Sequence, residues 1–263
     1  MLLSARFKRK SMLFTLMMKD GKELTCQFFP SLQEETQVLQ LVHGASEHSG
    51  RYEDFAAWLN ERGISLYVQN LRGHGLSQGE GVDHVILNKG DEEMFVSDTL
   101  ALGDYIRENH KAPLTLFGHS MGGMITRLVM THRHPYKGFI LSGTRKVSKL
   151  EIKSMKAALK IAKRKHDWEG PSDFLDKRVF LKVQKDMLKK GILENEEDDW
   201  LTKDPVEMKK NKEDHYLQQR WSISAYRGLF YLLEESSRRE TYEVKHNTNI
   251  LLLTGRHDGS TEY

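Results

Sequence analysis

The chain has 263 residues, of which 38% are hydrophobic and 29% charged, so it can bury a sizeable core but is too charged to be a membrane-spanning bundle. Lys and Arg number 40 against 37 Asp and Glu, and the resulting +3 is too small a surplus to mark a nucleic-acid binder. The single cysteine, Cys26, excludes an internal disulfide framework and points to a reducing compartment, read here as cytoplasmic.

Near the N-terminus, the apolar run from Met12 to Met18 is short, alternates in polarity and has no small-residue cleavage site before Lys19, so it reads as a strand and not as a signal segment. Ser11 to Met18 and Lys22 to Phe29 are joined by Asp20-Gly21, a dipeptide suited to a tight hairpin turn. Short continuous apolar runs then alternate with helical-period stretches. Strands are expected at Val38 to Val42, Ile64 to Val68, Leu114 to Phe117 and Gly138 to Leu141, and helices at Tyr52 to Arg62, Met94 to Asn109 and Met124 to His132. This rhythm implies a mostly parallel sheet covered by helices, preceded by the hairpin. Beyond Ser142 the rhythm stops. A long Lys- and Glu-rich stretch with helical patterning separates it from a last strand at Ile250 to Leu253. The expected organisation is therefore one core built from 1–144 and 236–263, with a helical cap inserted over 145–235.

Gly118-His119-Ser120-Met121-Gly122 matches the G-x-S-x-G pattern, with a strand entering it and a helix leaving it, as a nucleophile elbow requires. Flanking glycines are needed because the serine occupies a sharp turn where side chains would strike neighbouring backbone. The turn would also place the Met121 N–H at a helix N-terminus, aimed at an oxyanion. Gly75-Leu76-Ser77-Gln78-Gly79 matches the same pattern but lacks the strand and the helix, so Ser77 is the weaker candidate.

The segments LVHGASEHSGRYEDFAAWLNERG, NLRGHGLSQGEG and FGHSMGG occur in this order between residues 41 and 123. They resemble the monoacylglycerol lipase and lysophospholipase group of α/β-hydrolases, which is related to the serine aminopeptidases. The resemblance implies an α/β-hydrolase fold, Ser120 as nucleophile, and the backbone N–H groups of Ala45 and Met121 as oxyanion hole. His43-Gly44 could instead merely turn the chain. The resemblance gives Glu47, His48, Arg51 and Tyr52 loop-fixing roles, and makes Arg72 and His74 internal hydrogen-bond partners. Asn70 stands where the group usually carries Asp, a change expected to loosen a local network. Thr254-Gly255-Arg256-His257-Asp258 resembles the strand end that bears the catalytic acid, which makes Asp258 that acid, with a plain turn aspartate as the alternative.

In that group the histidine follows the acid after one more strand, whereas all 12 histidines here precede Asp258. His119 is expected to point into the sheet, and no catalytic histidine is assigned. The expectation is a chain truncated at its C-terminus, with the last strand and helix missing, an uncovered apolar edge, poor solubility and little turnover.

Arg145 to Lys165 carries nine basic residues against Glu151 alone, with Val147, Leu150, Met155, Leu159 and Ala162 at helical spacing. Such a basic amphipathic helix suits either contact with an anionic membrane or a solvated cap face. Glu194, Glu196, Glu197, Asp198 and Asp199 lack the glycine and alternation of a calcium loop and read as a solvated segment. Trp200, Trp221, Tyr226, Phe230 and Tyr231 could line an acyl pocket or form cap core. The expected function is hydrolysis of carboxylic esters of single-chain lipids, monoacylglycerol or lysophospholipid, with no cofactor, no metal and no nucleic-acid partner. The alternatives are an aminopeptidase or amidase on the same scaffold, and a non-catalytic relic that binds lipid or a partner.

Overall fold

The computed structural model describes residues 11–195, 201–238 and 248–255. Strands β1 (Met12–Met17) and β2 (Glu23–Phe29) form the expected antiparallel hairpin, in which Gly21 takes a φ of 83°. β3 (Gln37–Val42), β4 (Ile64–Gln69), β5 (Leu114–His119), β6 (Gly138–Ser142) and β7 (Asn249–Leu253) pair in parallel, and β2 joins them antiparallel through β4. Among the described residues the sheet has seven strands in the order β1-β2-β4-β3-β5-β6-β7.

Central strands read as continuous apolar runs because both their faces are covered. In β3, Val38 and Val42 face one layer of core, while Leu39 and Leu41 face the other. Helix α1 (Glu53–Asn60) covers the second layer with Ala56 and Leu59. Helices α2 (Asp91–Asn109) and α3 (Met121–Val129) cover the first with Phe95, Leu102, Ile106, Ile125 and Val129. The one polar side chain buried mid-strand in β3, Gln40, is satisfied on both ends: it donates to Thr99 O and accepts from the Tyr136 hydroxyl.

Apolar periodicity marks the middle of a helix better than its ends. α2 starts three residues before the expected Met94, because its first turn is the acidic Asp91-Glu92-Glu93, which favours a helix N-terminus without contributing apolar period. α3 likewise starts at Met121 instead of Met124, and α1 is preceded by a 3₁₀ turn at Ser49–Tyr52, where His48 Nδ1 accepts from Gly50 N–H.

Among the described residues, four helices, α4 (Lys149–Lys163), α5 (Asp173–Lys189), α6 (Pro205–Glu213) and α7 (Ile223–Glu235), stand between β6 and β7. α4 opens with a reciprocal capping box between Ser148 and Glu151, and packs Ile152, Met155, Ala158, Leu159 and Ala162 against the core. On β7, Ile250, Leu251, Leu252 and Leu253 are 40 to 64% exposed. No helix among the described residues is long and apolar enough to cross a membrane.

Arg72 is the most consequential buried charge. Only 1% exposed, it donates through Nε and Nη2 to Asp98 at 2.5 and 2.9 Å, through Nη1 to Asp91 at 3.0 Å, and through Nη1 and Nη2 to Asp20 at 2.6 and 3.0 Å. The hairpin turn, the segment after β4 and helix α2 are thereby tied together. Removing one partner of a buried ion pair leaves the others uncompensated. Arg72→Met is therefore expected to destabilise the fold by about 3–5 kcal/mol, read as a lowered midpoint in urea unfolding.

Candidate active site

β5 runs directly into Ser120, whose N–H continues the sheet ladder to Ser142 O at 2.8 Å. The backbone then reverses into α3 at a φ of 51° and a ψ of −113°, and Ser120 is one of two non-glycine residues with positive φ among those described. The motif's glycines are sterically obligatory. A Cβ on Gly118 would stand 2.3 Å from Gly122 O and from Thr126 Oγ1, and one on Gly122 would stand 1.9 Å from Val42 O. Real Cβ atoms do not approach oxygen this closely, so α3 can start where it does only if both positions are glycine.

The second positive-φ residue is Ser46, at 59°, in the segment after β3. That segment passes close over the serine, since a Cβ on Gly44 would stand 3.2 Å from Ser120 Cβ. The N–H groups of Ala45 and Met121 have no acceptor among the described residues, and Met121 is the first residue of α3, where helix N–H groups lack partners within the helix. Both residues line one cavity with Ser120. A hydroxyl on a strained turn and two unused N–H groups on the same cavity can together attack a carbonyl and receive the resulting oxyanion.

Polar contacts hold the segment above Ser120. Glu47 Oε2 accepts from Gly44 N–H at 2.6 Å and from the Tyr52 hydroxyl at 2.7 Å, while Arg51 lies 3.3 Å from Oε1. Burial opposes ionisation of Glu47, but the His119 imidazole, Arg51, Tyr52 and the Gly44 N–H outweigh it and keep the carboxyl below the usual carboxylate range. His43 is fully buried. Its Nε2 accepts from Leu71 N–H at 3.0 Å, which leaves Nδ1 to donate to Gly44 O at 2.8 Å. His74 donates from Nδ1 to Arg72 O. These are the loop-fixing and internal roles expected for Glu47, Arg51, Tyr52, Arg72 and His74.

Asn70 corrects one expectation, because the network around it is intact without an aspartate. Its Oδ1 accepts from Ser49 N–H, and its Nδ2 donates to Thr25 O and Ser49 Oγ. Ser77 is structural: its hydroxyl donates to Asn70 O and accepts from Thr25 N–H. His119 also differs from expectation, opening onto the cavity beside Ser120 instead of pointing into the sheet.

The cavity holds about 1240 Å³ and is roofed by residues of α4 to α7. Phe230 lines it, whereas Trp221 and Tyr226 are buried in the core, as one of the two expected roles for the aromatics requires. Sequence reasoning missed how the cap is tied down. Trp221 Nε1–H donates to Ser46 Oγ at 2.6 Å, His48 Nε2 meets Asp214 Oδ2 at 2.8 Å, and Gln78 and Gln219 exchange side-chain hydrogen bonds. No local pattern signals a pair such as Trp221 and Ser46, 175 positions apart. Asp258, His257, Trp200 and the acidic residues 196–199 lie outside the described residues.

A mostly parallel sheet, a serine elbow at the end of β5 and helices inserted after β6 define an α/β-hydrolase fold. The chain belongs to the serine aminopeptidase S33 family, whose model matches residues 33–263. It is 34% identical over 124 residues to mouse monoglyceride lipase, a match covering 46% of this chain and 39% of that protein. It is 36% identical over 109 residues to the monoacylglycerol lipase of Mycolicibacterium smegmatis, covering 40% of this chain and 37% of that one. The matched region thus spans less than two fifths of these curated relatives. Among solved structures, a lipase in its open form superposes with a TM-score of 0.78 at 20% identity, covering 95% of this chain and 82% of that one. A soluble variant of the Saccharomyces cerevisiae monoglyceride lipase gives 0.62 at 16% identity, covering 96% and 79%.

Two predictions follow from the buried groups of this site. Burial, reinforced by His74 in the case of His43, lowers the pKa of His43 to about 3 and that of His74 to about 4 from an ordinary 6.5. The unfolded chain therefore takes up protons that the fold refuses, so stability is full above about pH 6.5 and declines as the pH falls toward 4. Thermal unfolding midpoints should fall across that window, and His74→Gln should flatten the slope. Trp221→Phe keeps a six-membered aromatic ring but removes the donor to Ser46 and leaves part of the buried indole volume unfilled, and a loss of about 2–3 kcal/mol is expected in urea unfolding.

Proposed function

We propose that the protein is a serine hydrolase that cleaves carboxylic esters of single-chain lipids, monoacylglycerol or lysophospholipid, through an acyl-enzyme on Ser120. The observation that carries this reading is the strained Ser120 turn, which opens beside two unused N–H groups onto a cavity whose lining includes Met124, Leu229, Phe230 and Leu233. The monoglyceride lipase relatives support the same substrate class.

In this mechanism Ser120 Oγ attacks the ester carbonyl carbon and its proton passes to an imidazole base. The Ala45 and Met121 N–H groups hold the tetrahedral oxyanion, each such donor being worth about 10²–10³ in rate. Collapse breaks the bond to the alcohol oxygen, which leaves with the proton. Water then cleaves acyl-Ser120 to a fatty acid and the free serine. Asp258 is the residue proposed to orient the imidazole and stabilise its charged form.

No imidazole hydrogen-bonds to Ser120 Oγ among the described residues. Ser120→Ala is expected to abolish ester cleavage by the protein produced from its own gene, assayed with a monoacylglycerol. Retained cleavage in that variant would sink the reading.

The cap is proposed to span 145–235 and to select the substrate by roofing Ser120. Amide hydrolysis is the second reading, favoured by the description of the matching family, but both carboxylates among the cavity's described lining residues are already engaged, Glu47 by Gly44, Arg51 and Tyr52 and Glu151 by Ser148 and Arg145. The buried thiol of Cys26 fits a cytoplasmic location. Lys149, Lys153 and Lys160, exposed on α4, are proposed to touch anionic membrane surfaces. Co-sedimentation should then favour anionic over neutral vesicles, and equal recovery with both would remove the membrane contact.

A further inference from the structure

The cavity above Ser120 is unusual in its charge. Among the described residues, Arg145, Lys177, Arg178, Lys185, Lys189 and Lys212 line it, against two carboxylates, Glu47 and Glu151. Both acids are already committed. Glu47 is held by Gly44, Arg51 and Tyr52, and Glu151 accepts from Ser148 N–H at 2.8 Å and from Arg145 Nη1 at 3.0 Å. Arg145 and Glu151 therefore cancel. The five remaining cations form no ion pair with any described residue.

Their placement follows from helix geometry. Lys177, Arg178, Lys185 and Lys189 recur along α5 at spacings of seven, eight and four, which places them on one side of the helix, toward the cavity. Arg178 reaches across to α4, where its Nη2 donates to Ser154 Oγ at 2.5 Å. Lys212 of α6 completes the cationic lining. Cations dispersed over a convex surface are screened within about 10 Å at moderate salt, whereas a cleft with apolar walls concentrates their field. The same cavity is lined by Met124, Leu229, Phe230 and Leu233, which can hold an alkyl chain.

We infer that this cavity selects single-chain lipid esters whose alcohol part carries a phosphate monoester, in preference to esters of uncharged glycerol. Apolar walls take the acyl chain, and the α5–α6 cations take the phosphate. The inference rests on the reading of Ser120 as the ester-cleaving nucleophile, and sharpens it.

The test uses two non-hydrolysable probes on the full chain, an alkyl glycerol ether phosphate and the alkyl glycerol ether of equal chain length. Both are kept below their micellar concentrations and titrated by calorimetry. The phosphate ether should bind at least about tenfold more tightly and weaken as salt rises. Charge reversal by K177E, R178E and K189E together should remove most of that preference. Reversal at Lys149, Lys153 and Lys160, which do not line the cavity, should leave the preference in place. Inorganic phosphate should compete far more weakly than the ether phosphate, which separates a lipid headgroup from a free anion as the ligand. Equal affinities, a preference for the neutral ether, binding of neither probe, or equal sensitivity to the two triple reversals would overturn the inference. The underlying reading fails separately, if a fluorophosphonate does not modify Ser120.

Discussion

The architecture of the site hangs on one steric contact, the approach of Gly122 to the carbonyl of Val42, where a methyl group would lie 1.9 Å from oxygen. That approach lets α3 begin immediately after β5, and it forces the backbone between them through the positive φ of Ser120. A strained non-glycine residue is unfavourable unless its surroundings over-determine it. Here they do so: Ser120 N–H is fixed to Ser142 O, Ser120 O accepts from Gly123 N–H, and Gly118 and Gly122 leave no room for another path.

The segment after β3 is held against this turn from two directions. From the core, His43, Glu47, Arg51 and Tyr52 fix its backbone with buried hydrogen bonds, and the two nitrogens of His43 are oriented by Leu71 and Gly44. From the cap, Trp221 holds Ser46 and Asp214 holds His48. The connection between α6 and α7, two of the helices that roof the cavity, thus also fixes the N–H-bearing segment beside the serine. The lining of the cavity and the backbone beside Ser120 are mechanically linked in this fold.

Much of this was legible in the sequence, for physical reasons that differ by element. The parallel strands announced themselves as continuous apolar runs, because both faces of β3 and β4 are buried, and the Asp20-Gly21 turn carried its own conformational signature. The serine elbow was legible because only glycine tolerates the contacts at 118 and 122. Helix starts were read late, since α2 and α3 begin with residues that cap or turn and do not bury an apolar face. His119 and Asn70 were misjudged because the direction of one side chain and the bonding of another depend on tertiary neighbours, His119 on the open cavity and Asn70 on Thr25 and Ser49. The Trp221–Ser46 contact and the cationic face of α5 over Ser120 arise only when distant segments meet, so no local pattern carries them.

The central claim is that the strained Ser120 turn and its neighbouring N–H groups form a reactive acyl-transfer site. The most direct measurement is treatment of the protein, produced from its own gene, with a fluorophosphonate, followed by peptide mass spectrometry. The account predicts one phosphonylated peptide carrying the adduct on Ser120, absent from Ser120→Ala, with Ser77 unmodified. An adduct on another serine, or no adduct on Ser120 after prolonged treatment, would contradict it.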